Sequence, residues 1–483
     1  MIKKYSGKEN SGYKSFRKAR ISHWDKIAGE DKWNKCGAYY HKRLREVVSF
    51  AVPPGQRVIE IGCGRGDLLA AVQPSYGVGV DFSAQMVKKA KERHPDLRFI
   101  EADAHELELE DKFDFVILSD LVNELWDVQF VFHKILPLTT PRSRIIINFY
   151  SRLWELPLGI VRKLKLAEPM LLQNWLTVED ITGLLALADY EVVNCREEII
   201  WPLNTPLLNS LLNRFLVKIW PFRIFALTHF MIAKPLAVVS GNKELPKVSV
   251  VIPARNESGN IDRIFERVPV MGRETELVFV EGGSTDDTYE VIEKAAADHP
   301  DRLVKLFRQT GKGKGDAVRL GFQQAQGDIL MILDADLTVP PEDLPRFYDA
   351  LYRGKAEYVN GVRLVYPMEK EAMRFLNMLG NKFFSLFFSW LLGQPIKDTL
   401  CGTKALWKND YERIAANRSS LGNFDPFGDF DLLFGAAKLN LKIIEIPVHY
   451  EERTYGTTNI SRWKHGWLLL KMAFFALRKI KFI

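Results

Sequence analysis

The chain has few cysteines for its length. Among 483 residues there are four, at positions 36, 63, 195 and 401, and no two of them stand at the short spacing of a zinc site or a disulfide framework. Such usage is typical of a reducing compartment in which thiols stay reduced. It argues against the small secreted folds that disulfides stabilise.

Long hydrophobic runs are also missing. The longest uncharged apolar-rich run, residues 383–396, is too short to cross a bilayer as a helix. The first residues carry charges with no apolar core behind them, so we expect no secretory signal. Internal repeats and low-complexity tracts are absent from the sequence as well. We therefore expect a cytoplasmic protein, with or without a surface hold on a membrane.

The composition is that of a globular protein with more than one core. Apolar residues make up 47% of the chain and charged residues 26%, which excludes a disordered or membrane-spanning class. A chain of 483 residues is too long for one ordinary core, so two or three domains are expected. The formal net charge of +7 is modest, and we expect no nucleic-acid partner.

Two strand–glycine–helix beginnings divide the chain, one in residues 58–72 and one from residue 248 onward. Each half alternates short Val/Ile/Leu strands with helical segments, which predicts two doubly wound α/β domains with helices on both faces of a largely parallel sheet. The polar, turn-rich stretch between them predicts a linker. The predicted domains are residues 1–239, a linker at 240–247, residues 248–462, and a final amphipathic helix at 463–483.

Polar groups follow four successive strands of the first half. Gly62, Gly64 and Gly66 end the first strand, and glycines there let a ligand lie against the backbone. Asp81 ends the second strand, at the place where a carboxylate can bind the two hydroxyls of a ribose. Asp103 ends the third strand and Asp120 the fourth. Because these ends share one edge of the sheet, the sequence predicts a nucleoside-sized cleft.

This set resembles the class I S-adenosylmethionine-dependent methyltransferases, over residues 20–235. The resemblance implies a Rossmann-like fold and the cofactor S-adenosylmethionine, with the Glu-x-Gly-x-Gly-x-Gly loop approaching it, Asp81 on its ribose, and Asp103 with Ala104 at its adenine. The loop residues that match are Glu60, Gly62, Gly64 and Gly66.

The methyl acceptor is left open by the sequence. A general base is needed only if the nucleophile carries a proton, and Asp120, Asn123 and Glu124 are candidates. The alternative is that these residues solvate or cap the start of a helix. A second alternative makes the whole first half a non-catalytic binding or docking module.

An Asp-Ala-Asp triplet, Asp334 to Asp336, closes the apolar run 329–333 of the second half. Two carboxylates one residue apart at the end of a buried strand require a counter-charge, and Mg²⁺ or Mn²⁺ holding a diphosphate suits such hard oxygens. The alternative is an ordinary turn, in which Asp is common. Lys312-Gly-Lys-Gly315, which opens the preceding helix, can bind phosphates through its lysines and backbone N–H groups.

The second half resembles family 2 glycosyltransferases of the GT-A fold, within them the dolichol-phosphate mannosyltransferase-like branch, over residues 245–465. The resemblance implies a hexosyltransferase that inverts the anomeric centre of a nucleotide sugar, with Asp334 and Asp336 binding the metal. It places seven further residues at the donor: Pro253, Asn256, Glu257, Glu281, Gly313, Lys314 and, from a late loop, Arg453. Glu281 stands where the family usually has Asp.

The same resemblance implies a polyprenyl phosphate as the acceptor. It implies that Arg363 and Arg374 bind the acceptor phosphate, and it places the acid Asp431 at the start of a helix. The predicted catalytic residues are therefore Asp336, Asp431, Arg363 and Arg374. The segment 398–404 resembles the family's Asp-x-x-(Ser/Cys)-Gly sequence. Two arginines suit a phosphate, but ordinary salt bridges are the alternative. A soluble acceptor also remains open.

The end of the chain predicts contact with an anionic membrane. From residue 460 onward there are basic but no acidic side chains, and Lys464, Lys471 and Arg478 recur every seven residues among Trp, Leu and Phe. The alternative is a helix that packs on the core with a solvated basic stripe. Residues 207–222 are a weaker candidate of the same kind. We expect peripheral binding to the cytoplasmic face of the inner membrane, within a multifunctional transferase.

Overall fold

The computed structural model describes residues 11–29, 37–164, 170–236, 244–363, 365, 375–418, 428–453, 455 and 470–482. For residues 375–379, 381 and 429 only the backbone is described. The chain divides into two compact units, one running to Leu236 and the other from there to Lys481.

The first unit is built on a seven-stranded sheet in the order β3-β2-β1-β4-β5-β7-β6. The first five strands run parallel, and β7 is antiparallel to both β5 and β6. The strands are β1 Arg57–Ile61, β2 Tyr76–Asp81, β3 Arg98–Glu101, β4 Phe115–Ser119, β5 Arg144–Tyr150, β6 Tyr190–Glu198 and β7 Thr228–Pro235.

Helices cover both faces of this sheet. They are α1 Ser11–Ala28, α2 Ala38–Ala51, α3 Asp67–Ala71, α4 Ala84–Arg93, α5 Val128–Ile135, α6 Glu155–Lys163 and α7 Val178–Leu187. Alternate residues of β4 enter opposite cores, Val116 and Leu118 one core and Phe115 and Ile117 the other. Local caps fix several helix starts; the Thr177 side chain, for example, accepts from the backbone N–H of Asp180 at the beginning of α7.

The second unit has its own seven-stranded sheet, in the order β10-β9-β8-β11-β13-β12-β14. Strands β10, β9, β8 and β11 are parallel, β13 is antiparallel to both neighbours, and β14 runs parallel to β12. The strands are β8 Val248–Ala254, β9 Thr275–Glu281, β10 Leu303–Arg308, β11 Ile329–Ile332, β12 Tyr358–Val362, β13 Lys404–Trp407 and β14 Ile443–Pro447.

Helices again lie on both faces, so two doubly wound α/β domains are confirmed. The helices of the second unit are α8 Ile261–Arg267, α9 Thr288–Asp298, α10 Lys314–Gln324, α11 Leu344–Tyr352, α12 Phe375–Leu392, α13 Lys408–Ala416 and α14 Asp429–Lys438. Its two cores again take alternate residues of a strand, because side chains of a strand point alternately to the two faces.

The predicted amphipathic helix at the end of the chain is described only in part. Residues 463–469 lie outside the described residues, and residues 470–481 are helical, ending in a π-helical turn over Leu477–Lys481. One side of this segment is buried in the core of the second unit, through Met472, Ala473, Ala476 and Ile480. Leu470 and Phe474 are exposed. Among the described residues, we find no helix with the length and apolar character needed to span a bilayer.

Candidate active sites

The glycine turn after β1 has the backbone that the sequence predicts. Gly62, Gly64 and Gly66 all have positive φ, at 75°, 49° and 77°, a region that favours glycine. A Cβ added to Gly64 would meet nothing within 4 Å, so this residue borders open space. The Gly64 N–H also donates to Asp81 Oδ2 at 2.9 Å, which joins the turn after β1 to the end of β2.

The Asp81 carboxylate is held by two backbone donors. Besides Gly64, the Ser83 N–H donates to Oδ1 at 2.9 Å. Burial raises the pKa of Asp81 to about 6, although both hydrogen bonds oppose the shift. Each carboxylate oxygen can still accept from a further hydroxyl. The strand-end position and the open space at Gly64 fit the ribose of a nucleoside.

Glu60 and Asp103 have partners within the protein. Glu60 is buried in β1, accepts from the Leu69 N–H at 2.9 Å, and burial raises its pKa well above the usual value. Asp103 accepts from the N–H of His105 at 2.9 Å and pairs with Arg17 of α1 at 3.0 Å. Ala104, the predicted adenine contact, is 7% exposed and belongs to a core cluster of the sheet.

Helix α1 covers the predicted cofactor cleft. Arg20 pairs with Glu124 at 3.1 Å, and Tyr13, Phe16 and Arg17 lie opposite the residues that follow β3 and β4. A small cavity of about 30 Å³ lies between them, and Phe82, His105 and Leu121 also border it.

The three candidate bases after β4 have different surroundings. Asp120 has φ 55° and accepts from the Tyr40 hydroxyl at 2.7 Å and the Asn148 amide at 2.6 Å. Burial raises the pKa of Asp120 to about 7, against both hydrogen bonds. Asn123 instead donates to the Asn174 carbonyl, and Glu124 pairs with Arg20. Asp120 combines a strand-end position with a pKa near neutrality, which suits a general base.

In the second unit, the loops that follow β8 and β9 are joined to each other by hydrogen bonds. Asn256, at φ 56°, accepts from the Thr285 N–H at 2.8 Å and donates its own N–H to the Ser284 hydroxyl. Glu281 accepts from the Ser284 N–H at 2.5 Å. Pro253 lies within β8, half-buried. The predicted donor-binding residues of these two strands thus meet at one edge of the sheet.

Lys314 and Asp334 form an ion pair at the same edge. Lys314 begins α10 directly after Gly313, whose φ is 86°. Burial opposes ionisation of Asp334, but Lys314 and, farther away, Lys404 and Arg363 hold the pKa of Asp334 below its usual value. A Cβ on Gly402 would overlap both the Lys314 ammonium and the Asp334 carboxylate, so the pair fills the space that this glycine leaves.

Asp336 is held between Arg453 and Thr338. Arg453 donates to Asp336 Oδ2 at 2.5 Å and reaches Glu257 at 3.5 Å. The Thr338 hydroxyl and N–H donate to the other Asp336 oxygen, at 2.8 and 3.1 Å. Burial raises the pKa of Glu257 to about 7; Arg453 opposes the shift, and the charges of Asp336 and Asp334 add to it.

These carboxylates are suited to a metal in their chemistry. Glu257, Asp334 and Asp336 bring hard oxygen donors together, and the charges of the two aspartates add to the rise in the pKa of Glu257 that burial chiefly causes. In the described part of the chain, no three His, Cys, Asp or Glu side chains are arranged as a ready metal cluster. Asp334 is paired with Lys314, and Asp336 is paired with Arg453.

Arg363 is engaged by a buried carboxylate. Its Nε and Nη2 donate to the two oxygens of Asp398 at 2.7 and 2.9 Å, and Asp398 is fully buried. Burial notwithstanding, Arg363 lowers the pKa of Asp398 to about 2. The sequence left two roles open for Arg363, phosphate binding or an ordinary salt bridge. The structure contains a salt bridge, and its carboxylate partner is buried rather than at the surface. Arg374 lies outside the described residues.

We expect Asp398→Ala to destabilise the second unit by about 3–5 kcal/mol, because it leaves the Arg363 charge buried without its partner. Since the folded-state pKa of Asp398 is depressed, its contribution is present above the ordinary Asp pKa and is lost as the pH falls towards about 2. Denaturant unfolding measures the difference. Asp349→Ala, which removes the exposed pair with Arg353, is the control and should cost about 0–1 kcal/mol. Equal losses for the two variants would contradict the assignment.

Asp431 lies in the first turn of α14 and pairs with Arg418 at 2.6 Å. The beginning of this helix is close to the Gly-Lys-Gly loop, because a Cβ on Gly428 would come within 2.8 Å of the Gly315 Cα. The structure thus brings the start of α14 close to the start of α10, where Lys314 lies.

Sequence reasoning missed several polar residues of this edge. Thr338 orients Asp336, and Gln309 donates to both the Gly313 carbonyl and the Asp316 carboxylate, at 2.8 and 3.0 Å. A hydroxyl two residues after an aspartate is a common turn pattern, so Thr338 left a weak signal. Gln309 left none, because its partners become neighbours only when the loop before α10 folds.

Comparisons with known proteins found matches to both halves of the chain. Residues 53–189 match the family model of a methyltransferase domain, and residues 249–412 match that of glycosyl transferase family 2. A dolichol-phosphate mannosyltransferase of Pyrococcus furiosus is 31% identical over 237 residues, covering 47% of this chain and 64% of that protein. An undecaprenyl-phosphate 4-deoxy-4-formamido-L-arabinose transferase of Pectobacterium carotovorum is 28% identical over 222 residues, covering 45% of this chain and 64% of that protein. The chain thus spans slightly less than two thirds of the length of these curated relatives.

Among solved structures, a glucosyl-3-phosphoglycerate synthase from Mycobacterium tuberculosis is 20% identical, covering 49% of this chain and 80% of its own, with a TM-score of 0.36. An S-adenosylmethionine dependent methyltransferase from Mesorhizobium loti is 21% identical, covering 41% of this chain and 98% of its own, with a TM-score of 0.32. The first half of the chain is therefore similar to methyltransferase domains, and the second half is similar to family 2 glycosyltransferases.

Proposed function

We propose that the chain is a bifunctional, membrane-associated enzyme. Its second unit transfers a sugar with inversion from a nucleotide sugar to a polyprenyl phosphate, and its first unit transfers a methyl group from S-adenosylmethionine. The observation that carries the first activity is the meeting of Lys314, Asp334, Asp336, Arg453 and Glu257 at the carboxyl edge of one sheet. Both curated relatives are named for sugar transfer to a lipid phosphate.

The donor would lie along the ends of β8, β9 and β11. Pro253, Asn256 and Glu281 are proposed to hold its nucleoside, and Gly313 with Lys314 its phosphates, at the start of α10. Asp334 and Asp336 would hold Mg²⁺ or Mn²⁺, which would stabilise negative charge on the departing diphosphate. Lys314 and Arg453 lie beside these carboxylates, so their positive charges can also stabilise the negative charge that develops on the diphosphate.

The acceptor phosphate is ionised at neutral pH, so its attack on the sugar needs no strong base. What the protein must provide is attraction and orientation. Arg363 contributes positive charge that reaches Asp334, which supports its position beside the donor edge. We propose that Arg363 shares its guanidinium between Asp398 and the acceptor phosphate, with Arg374 as a second cation and Asp431 positioning the acceptor at the start of α14.

An apolar and basic surface of the second unit supports peripheral membrane binding at the cytoplasmic face of the inner membrane. Phe383 and Leu386 of α12 are 59% and 66% exposed, and Phe474 near the end of the chain is 62% exposed. Lys471 and Arg478 belong to the same terminal segment. Apolar side chains with basic neighbours suit an anionic leaflet.

Thermal unfolding with uridine or guanosine diphosphate tests the donor site directly. A ligand that binds only the folded state stabilises it, by about 2.7 kcal/mol at a concentration one hundred times its Kd. We expect the midpoint to rise with a nucleoside diphosphate and Mn²⁺ together, and much less with either alone. No rise with any nucleoside diphosphate and metal would count against a donor site at this edge.

For the first unit we propose that Asp120 is the general base when the methyl acceptor carries a proton. Asp120→Asn should lower the release of S-adenosylhomocysteine about 10²–10⁴-fold, measured with membrane lipid extract as the acceptor source, and leave S-adenosylmethionine affinity within about twofold. The unchanged affinity separates loss of a base from loss of folding. If the unaltered protein binds the cofactor but releases no S-adenosylhomocysteine with any extract, the first unit is a binding module instead.

A further inference from the structure

Seven consecutive residues of the first unit, Ile219 to Phe225, are all exposed, and five of them are large and apolar. Trp220 is 72% exposed, Phe225 60% and Ile224 49%. Isolated apolar residues at a surface are ordinary, but contiguous ones indicate an interaction site.

The fold holds this run in place from both sides. Val217 and Lys218 before it, and Ala226 and Leu227 after it, are all buried. Lys218 forms an ion pair with the buried Glu198 of β6 and donates to the Glu197 carbonyl at 3.0 Å. The exposed residues therefore form a short loop presented between two anchored ends.

Helix α6 with its preceding turn continues the same surface. The Trp154 indole N–H donates to the Phe225 carbonyl at 3.0 Å, and Trp154 and Leu158 pack inward on a core cluster. Four other large apolar residues of this segment face outward, with exposed fractions of 62% for Leu153, 78% for Leu156, 60% for Ile160 and 63% for Leu164. Packing of the helix on the unit thus leaves a second row of apolar side chains exposed.

The charges within these two segments are mostly positive. Residues 152–164 and 219–225 contain four basic side chains, Arg152, Arg162, Lys163 and Arg223, and one acidic side chain, Glu155. Large apolar groups interleaved with arginine and lysine, and with tryptophan among them, are the composition of surfaces that lie in the headgroup region of a bilayer.

We propose that residues 152–164 and 219–225 form a membrane-docking surface of the methyltransferase unit that binds an anionic lipid leaflet. The aromatic and aliphatic side chains enter the headgroup boundary, and the exposed Arg152, Lys163 and Arg223 meet anionic headgroups. The net positive charge of the two segments complements the negative charge of an anionic leaflet. The exposed apolar side chains form two extended rows, which a deformable lipid surface can cover. The surface belongs to the first unit and does not depend on sugar transfer by the second.

Flotation of the full-length protein with vesicles tests this docking surface. Vesicles of phosphatidylcholine with a minority of phosphatidylglycerol serve as the probe. We expect Trp220→Ser with Phe225→Ser to weaken partitioning about tenfold, since each removes a large apolar group from the interface. Arg223→Glu with Lys163→Glu should weaken it about tenfold on these vesicles and little on pure phosphatidylcholine. Leu187→Ser, an equally exposed apolar residue at the end of α7, is the matched control and should change partitioning less than about twofold.

A local readout separates this surface from that of the second unit. Amide hydrogen exchange of residues 219–225 should slow when vesicles are added to the unaltered protein. Partitioning that is equal in the variants and the control, or exchange that stays unchanged while the protein is bound to vesicles, would overturn the proposal. A third outcome would also overturn the proposal. If the double variant at Trp220 and Phe225 has a changed molar mass in solution but normal partitioning, the surface binds another copy of the chain. The same variants should transfer sugar at the normal rate when they are assayed in detergent, because the substituted residues lie in the first unit.

Discussion

Replacing Asp336 with Asn is expected to lower sugar transfer by about 10³-fold or more. Asp336 would bind the metal that stabilises the departing diphosphate, a contribution of several kcal/mol to the transition state. Asn is nearly the same size but carries no charge, so it also weakens the contact that Arg453 makes at 2.5 Å. Initial rates at saturating donor, over a range of Mn²⁺ concentrations, measure the effect.

Two further variants locate the cause of that loss. Asp298→Asn, at the exposed end of α9, is the charge-matched control and should retain full activity. Thr338→Val keeps the Asp336 charge but removes the hydroxyl that orients it at 2.8 Å, so a loss nearer tenfold is expected. An Asp336→Asn enzyme that transfers sugar at the normal rate would show that the triplet is an ordinary turn.

Replacing Asp81 with Asn should weaken S-adenosylmethionine binding about 100-fold. Hydrogen bonds to a charged acceptor contribute about 1.5–3 kcal/mol each, and the carboxylate is proposed to accept from two ribose hydroxyls. Asn keeps one acceptor oxygen, so either the Gly64 or the Ser83 N–H also loses its partner. Calorimetric titration of the full-length protein gives the affinity, with Asp96→Asn, an exposed residue before β3, as the control.

The pH dependence of cofactor binding follows from the same carboxylate. Because the pKa of Asp81 is raised to about 6, the charged form prevails at neutral pH and is lost below about pH 6. Affinity should therefore fall as the pH drops from 7 to 5, and the Asn variant should not show this fall. Because the folded-state pKa of Asp81 is raised, its ionised form lowers the stability of the fold at neutral pH. The loss of the charge in Asp81→Asn should therefore not by itself destabilise the fold. An affinity that does not change between pH 7 and pH 5 would contradict the proposed contact between Asp81 and the ribose.

The groups that the sequence predicts best stand at strand ends. Gly62, Gly64 and Asp81 could be placed at one edge of the first sheet, and Glu281 and Asp334 at one edge of the second, because the carboxyl ends of parallel strands meet at one edge. The alternation of short apolar strands with helical segments predicted two doubly wound sheets, and the structure has them.

What the sequence does not reveal depends on contacts between distant segments. The pairing of Arg363 with Asp398 spans 35 residues, and that of Arg453 with Asp336 spans 117. The position of α1 over the cleft depends on Arg17 and Arg20 finding Asp103 and Glu124 across the unit. No local pattern encodes these partners, because each is fixed by the packing of whole elements.

The end of the chain shows the same limit. Periodicity predicted one amphipathic helix with an apolar face for the membrane. In the described residues 470–481, part of the apolar side, including Met472 and Ala476, is buried in the core, while Phe474 is exposed. Periodicity reports which side chains share a face and not what that face contacts.

We propose above all that the second unit glycosylates a lipid phosphate. The most direct measurement incubates the full-length protein with a panel of nucleotide sugars, Mn²⁺ or Mg²⁺ and a polyprenyl phosphate, and follows the lipid by mass spectrometry. We predict that one nucleotide sugar adds a single hexose-type residue to the polyprenyl phosphate, and that Asp336→Asn removes this product. Transfer to a soluble acceptor alone, or no consumption of any nucleotide sugar, would contradict the account.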